Sequence, residues 1–263
     1  MIRRCLVALA WLASAAPAFA QGAPAALALP ASATPEFLPR YTFHLAAEHL
    51  SSSDPRVVWD TNFGGELDLV DYVSGRMTFV ANYQAILGEQ FRRFDPNQGN
   101  YILGGSLSVR PRGLELSAVF HHESRHLSDR FKRQAVDWNM MGARINAAAT
   151  RGRAEFGARA DLRTVVQQSF VDYRWELDTD ARSRVRLSEL AAVFAGGGVR
   201  VLGVDGTRGR GTQTGVRGEG GVHLRGRGAA VELYLAAERR VDPYPLELST
   251  DTWVSAGFRL LSR

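Results

Sequence analysis

The sequence predicts an all-β fold, a transmembrane antiparallel β-barrel of about twelve strands. Three observations predict it. Apolar and polar residues alternate with a period of two through nearly all of the chain after about residue 35. That period is the signature of a strand with one greasy and one wet face. A segment with the marks of an export signal precedes it. Beyond that segment no apolar run of about 20 residues exists to form a membrane helix.

Residues 1–20 read as a cleaved signal peptide. Arg3 and Arg4 form the positive n-region, Cys5 to Leu12 the apolar h-region, and Ala18-Phe19-Ala20 the cleavage site. Cleavage after Ala20 removes the chain's single cysteine, so disulfide and thiol chemistry are excluded. The net charge of +5 falls to +3 without Arg3 and Arg4, too mild an excess to point to nucleic acid. The Arg/Gly-rich stretch Thr207–Gly228 keeps strand alternation at Val216, Val222 and Leu224, so it reads as strands and turns. Hydrophobic content of 45% suits a barrel, because only alternate residues meet lipid.

Residues 21–37, rich in Ala and Pro without alternation, read as a periplasmic lead-in to a barrel over 38–263. Strands are expected at about 40–50, 57–70, 75–88, 100–110, 113–125, 136–148, 153–163, 169–179, 185–204, 213–225, 228–240 and 250–262. In the third, Met77, Phe79, Ala81 and Tyr83 take the outer face and Thr78, Asn82 and Gln84 the inner. In the eighth, Val171, Tyr173, Trp175 and Leu177 are expected outside, with Asp172, Arg174 and Glu176 inside. The ninth is long and contains Gly196-Gly197-Gly198, which leaves room for a bulge or a break. Trp59, Tyr101, Trp138, Tyr173, Trp175 and Trp253 read as an interfacial belt or wall packing.

Connection lengths alternate. Tight turns are expected near 71–75, 111–113, 150–152, 179–183 and 226–227, and longer loops at 51–56, 89–99, 126–135, 205–212 and 241–249. Barrels of this class keep short turns in the periplasm, so both termini are expected there, in the outer membrane of a Gram-negative bacterium.

One stretch carries chemistry. His121-His122-Glu123-Ser124-Arg125-His126 closes the fifth strand with three of the six histidines. Strand parity sends His122 and Ser124 outward and Glu123 and Arg125 inward, and Asn139 on the sixth strand shares the outward face. Serine needs a base to take its proton, and that histidine needs a third group to hold its tautomer. An i, i+2 spacing puts both side chains on one face of a strand.

On these residues the sequence resembles outer membrane phospholipase A, a twelve-stranded barrel with a His-x-Ser element on one strand and an Asn on the next. The resemblance implies Ser124, His122 and Asn139 as catalytic residues. Ser128-Asp129 matches that family's Ser-Asp calcium loop and Trp138-Asn139 its Trp-Asn, which implies calcium held by Ser128 and Asp129 near the oxyanion. Arg125-His126 departs from the family's Asn-Gly after the serine. The stretch Phe120–Asp129 also resembles an element of a family of uncharacterised bacterial outer-membrane proteins. The lipid A 3-O-deacylases resemble it too in their His-x-Ser pair, and imply Asp137 as the acid.

The expected function is thus a lipid acyl hydrolase acting on phospholipid or lipid A, membrane-embedded, with a homodimer open. The alternative is a non-enzymatic barrel, either a narrow channel or an anchor whose outward Ser and His merely mark the headgroup zone. Inward His44, Glu48 and His223 read as members of interior ion-pair networks.

Overall fold

A computed structural model describes residues 32–128 and 134–262. The signal-peptide residues and Asp129 lie outside the described residues. The strands are β1 (Glu36–Leu50), β2 (Trp59–Asp71), β3 (Arg76–Gly88), β4 (Asp95–Val109), β5 (Leu114–Leu127) and β6 (Val136–Arg151). They continue with β7 (Ala154–Ser169), β8 (Tyr173–Arg186), β9 (Ala191–Val204), β10 (Gln213–Arg225), β11 (Ala229–Val241) and β12 (Thr250–Ser262). Each pairs antiparallel with its chain neighbours, and β1 closes on β12. Closure satisfies every strand's backbone inside the sheet, the condition for crossing hydrocarbon.

Alternation sorts the side chains onto two walls. Leu235 is 69% exposed on the outside, whereas its neighbour Tyr234 is 6% exposed inside. The inner wall is packed with paired charge. Arg217 donates to both carboxylate oxygens of Glu48 at 2.7 Å, which spans from β10 to β1. Arg240 on β11 reaches Asp60 on β2 at 2.7 Å. Arg259 donates to Glu232 at 2.8 Å and Glu219 at 3.0 Å. Charges removed from water need such partners. His223 bonds Glu232 and so belongs to this network, whereas His44 bonds the neutral Asn62 beside it.

Odd strands run towards an end that carries the connections 51–58, 89–94, 128–135, 170–172, 205–212 and 242–249. We call it the loop end; β1 begins and β12 ends at the other, the turn end. Just inside the loop end Val136, Trp138, Met140, Tyr173, Leu202 and Val241 form an apolar plug. Across it Arg210 donates to Asp172 and Asp242, tying three connections together.

Four expectations are corrected. Residues 179–183 are not a turn: β8 continues to Arg186, because Asp178, Asp180 and Arg182 are one wet strand face aimed inward, with Asp180 2.8 Å from Arg159 and Arg182 2.6 Å from Glu232. The expected ninth strand does hide a break, but at 187–190, the turn between β8 and β9; the triple glycine holds no bulge, since β9 pairs without a shift there on both sides. The shift falls instead between Tyr173 and Trp175, which turns Tyr173 inward and Arg174 outward, the reverse of the expected parity. Trp138 and Trp253 are buried in the lumen rather than in a belt. Each lies under a guanidinium, Arg125 at 5.2 Å and Arg240 at 5.1 Å from the ring, a cationic setting that suits indole as well as an interface does.

Candidate active site

The site is built by three adjacent strands at the loop end of the outer wall. The β5–β6 register sets His122 opposite Asn139 and Ser124 opposite Asp137. The β6–β7 register sets Asn139 opposite Gln167. The residues between them, Glu123, Arg125 and Trp138, are buried in the lumen, so parity alone delivers His122, Ser124, His126, Asp137 and Asn139 to the outside.

A chain of hydrogen bonds links four of these side chains. Gln167 Nε2 donates to Asp137 Oδ1 at 3.3 Å. Asn139 Nδ2 donates to Gln167 Oε1. His122 Nδ1 stands 2.8 Å from Asn139 Oδ1. Because the Asn139 amide N–H is engaged on Gln167, its carbonyl oxygen faces the imidazole and can only accept. His122 therefore carries its proton on Nδ1, which leaves the Nε2 lone pair available to take a proton.

The structure brings His122 and Asn139 together and puts Ser124 on the same face. The Ser124 hydroxyl bonds His126 Nε2 at 3.3 Å rather than His122. Ser124 lies two residues from each histidine, so the same strand geometry offers it both rings. His126 is itself braced edge-on against Tyr101, with ring centroids 5.4 Å apart. Sequence reasoning missed Gln167, because it ended the seventh strand at 163. A longer strand alone would not have found it: continuing the outward alternation of Leu162 and Thr164 turns Gln167 inward, and the register shift opposite Asn139 and Met140 is what brings it to the outer face.

Ser128 donates its backbone N–H to Asn97 at 3.0 Å, and its expected calcium partner Asp129 lies outside the described residues. Among the described residues no group of three His, Cys, Asp or Glu side chains could hold a metal. No chemical step below runs through calcium.

No family model matches the sequence, and no curated protein matches it. Solved structures do match in shape. A calcium-bound dimer of outer membrane phospholipase from Salmonella typhi superposes with a TM-score of 0.53 at 14% identity, covering 83% of this chain and 90% of that one. An active-site asparagine-to-alanine variant of Escherichia coli outer membrane phospholipase A gives 0.51 at 13%, covering 89% and 95%. An outer-membrane channel from Pseudomonas putida F1 gives 0.53 at 12%, covering 92% and 98%. The fold is that of the outer-membrane barrels. A hydrolase and a channel superpose equally well, so function rests on the site and the lumen.

Proposed function

We propose that this barrel is a serine-type lipid acyl hydrolase, with Ser124 as nucleophile, His122 as general base then acid, and Asn139 as the group that orients the imidazole. The observation that carries it is the Asp137–Gln167–Asn139–His122 chain on a wall that faces hydrocarbon. Four linked polar side chains are costly to hold there, and this set leaves a basic nitrogen beside a serine. The solved phospholipase with a mutated active-site asparagine supports reading Asn139 in that role.

In the reaction Ser124 turns from His126 to His122. Its Oγ bonds to the ester carbonyl carbon as the hydroxyl proton passes to His122 Nε2. The ester C–O bond then breaks, and the imidazolium returns that proton to the leaving alcohol. A water repeats the sequence on the acyl-serine, releasing a fatty acid and restoring Ser124. The Asn139 carbonyl steadies the transient imidazolium through Nδ1–H, and Gln167 with Asp137 keeps Asn139 from turning. Reaction at this height suits an outer-leaflet lipid, either phospholipid or lipid A, reached by a barrel exported with residues 1–20 removed and its termini in the periplasm. Calcium at Ser128 and Asp129 and a homodimer belong to this proposal as well. Loss of activity in chelator and cross-linking in native membranes test them.

The lumen speaks against conduction. Glu123, Glu176 and Glu232 are each 1% exposed, and ion pairs bridge strands that are not neighbours, as Arg240 on β11 does with Asp60 on β2 and Arg182 on β8 with Glu232 on β11. The test is fatty-acid release from phospholipid and from lipid A by purified protein in micelles. Wild type should release it, and Ser124→Ala should lose about 10³-fold or more. A variant as active as wild type rules this mechanism out; a wild type inert on both lipids leaves the anchoring barrel.

A further inference from the structure

The charge of this barrel is distributed unevenly between its ends. The five connections at the turn end, 72–75, 110–113, 152–153, 187–190 and 226–228, together with the flanking residues Arg151, Arg186 and Arg225, hold seven arginines and a single acid, Glu189. The six connections at the loop end are close to balanced, with seven acids against eight bases.

Arg110 pairs with Asp71 and Glu115, and Arg186 lies 4.0 Å from Glu155. Arg112, Arg151, Arg153, Arg186, Arg225 and Arg227 are all exposed. They sit on hairpins β4–β5, β6–β7, β8–β9 and β10–β11, which follow one another around the barrel, and so form a crescent over two thirds of the rim. Tight geometry keeps them there: Gly113 at φ 81° and Gly152 at φ 60° close two of the hairpins in a conformation that glycine adopts without strain.

The crescent stands where the apolar wall stops. Leu114, Phe156, Val185, Leu187, Leu190 and Leu224 are all exposed beside it. Leu187 and Leu190 lie in the β8–β9 turn itself, so this rim is wetted by lipid on its outer side. Cations at the edge of an apolar belt meet phosphate headgroups, and the planar guanidinium fork binds phosphate oxygens in pairs. Arginine stems also lie along apolar surface while the head reaches water.

We infer that this crescent is a binding surface for the phosphate headgroups of anionic phospholipid in the leaflet at the turn end. Its role is to set the depth and tilt of the barrel, and it is separate from the hydrolytic site at the other end.

The test uses the full-length protein reconstituted in phosphatidylcholine with spin-labelled lipid, where the motionally restricted fraction reports the first lipid shell. Labelled phosphatidylglycerol should be preferred over labelled phosphatidylcholine at least two-fold. That preference should fall to near one in high salt, which screens the contact without changing the protein. It should fall likewise when Arg151, Arg153, Arg186, Arg225 and Arg227 are changed to Ser, and should persist in Arg174→Ser/Arg208→Ser at the loop end. Heat-modifiable migration on gels confirms that each variant is a folded barrel. Equal association of the two lipids with wild type overturns the inference. So does a preference that survives the five changes or moves with the loop-end pair.

Discussion

His122 and Asn139 face one another across the β5–β6 ladder, Nδ1 to Oδ1 at 2.8 Å, on the side of the sheet that faces lipid. Nothing about barrel stability calls for that pair. Polar side chains in hydrocarbon are costly unless they are joined, and this pair continues through Gln167 to Asp137. The length of the chain is itself informative, since a lone surface histidine needs no brace three side chains deep.

Gln167→Leu breaks the link between Asn139 and Asp137 while keeping the size of the side chain. Because Gln167 acts only through Asn139, kcat should fall roughly 10-fold to 100-fold, by analogy with the loss of outer partners behind metal-bound histidines, with KM little changed. Asn139→Ala should cost more, because it removes the acceptor from Nδ1 itself. Initial rates on micellar phospholipid, compared with barrel content on unheated gels, check both.

The two histidines beside Ser124 should part sharply. His122→Gln should abolish hydrolysis, since Asn139 holds His122 in the tautomer that leaves Nε2 free to take a proton. His126→Gln should leave the rate near wild type or raise it, because the hydroxyl loses its competing 3.3 Å partner and is freed towards His122. If His126→Gln is the dead variant, the base has been misassigned.

The fold was legible because lipid outside and paired charge inside impose the same parity on every strand, so even the Arg/Gly-rich tenth strand kept the rhythm at Val216, Val222 and Leu224. Legibility failed where one residue slips. The shift between Tyr173 and Trp175 exchanges the two faces, and no composition marks it. It failed again where the wet face is dense: Asp178, Asp180 and Arg182 look like a turn until their partners Arg163, Arg159 and Glu232 are placed across the lumen. For the site, parity foretold which side chains share the outer face. Partner choice depends on rotamers, so the preference of Ser124 for His126 was out of reach, and Gln167 was lost both with the end of its strand and to a second one-residue slip, opposite Asn139 and Met140, that turns it outward.

The loop end should loosen in acid. Arg56 between β1 and β2 clasps Glu247 between β11 and β12, at 2.5 Å and 2.9 Å. That hydrogen bonding holds the Glu247 carboxyl below its ordinary value of 4.5. Asp54 is also held low: burial pushes it up, but the Arg56 hydrogen bonds outweigh burial. A carboxyl with a lowered folded value stabilises fully above its ordinary value and loses that contribution as pH falls through the lowered one. The clasp should therefore hold at pH 7 and open only as the pH falls below the ordinary values of 4.5 for Glu247 and 3.8 for Asp54. Hydrogen exchange of residues 51–58 and 242–249, corrected for intrinsic rates, checks this, and Glu247→Gln should show the open behaviour at pH 7.

Arg217 ties Glu48 and Glu238 inside the lumen. Arg217→Met leaves both acids buried without it, and loss of one partner from a buried ion pair costs about 3–5 kcal/mol. Urea titration of protein reconstituted in thin-bilayer vesicles should show a loss of that size. A change within about 0.5 kcal/mol would mean that water already solvates those carboxylates.

The most direct measurement of the central claim is covalent capture. Native protein in micelles is treated with a lipid-like fluorophosphonate, which bonds only to a serine whose proton is taken by a neighbouring base, and the modified peptide is located by mass spectrometry. The account predicts one adduct, on Ser124, abolished in His122→Gln and retained in His126→Gln. An unlabelled Ser124 in folded barrel, or labelling indifferent to His122, contradicts it.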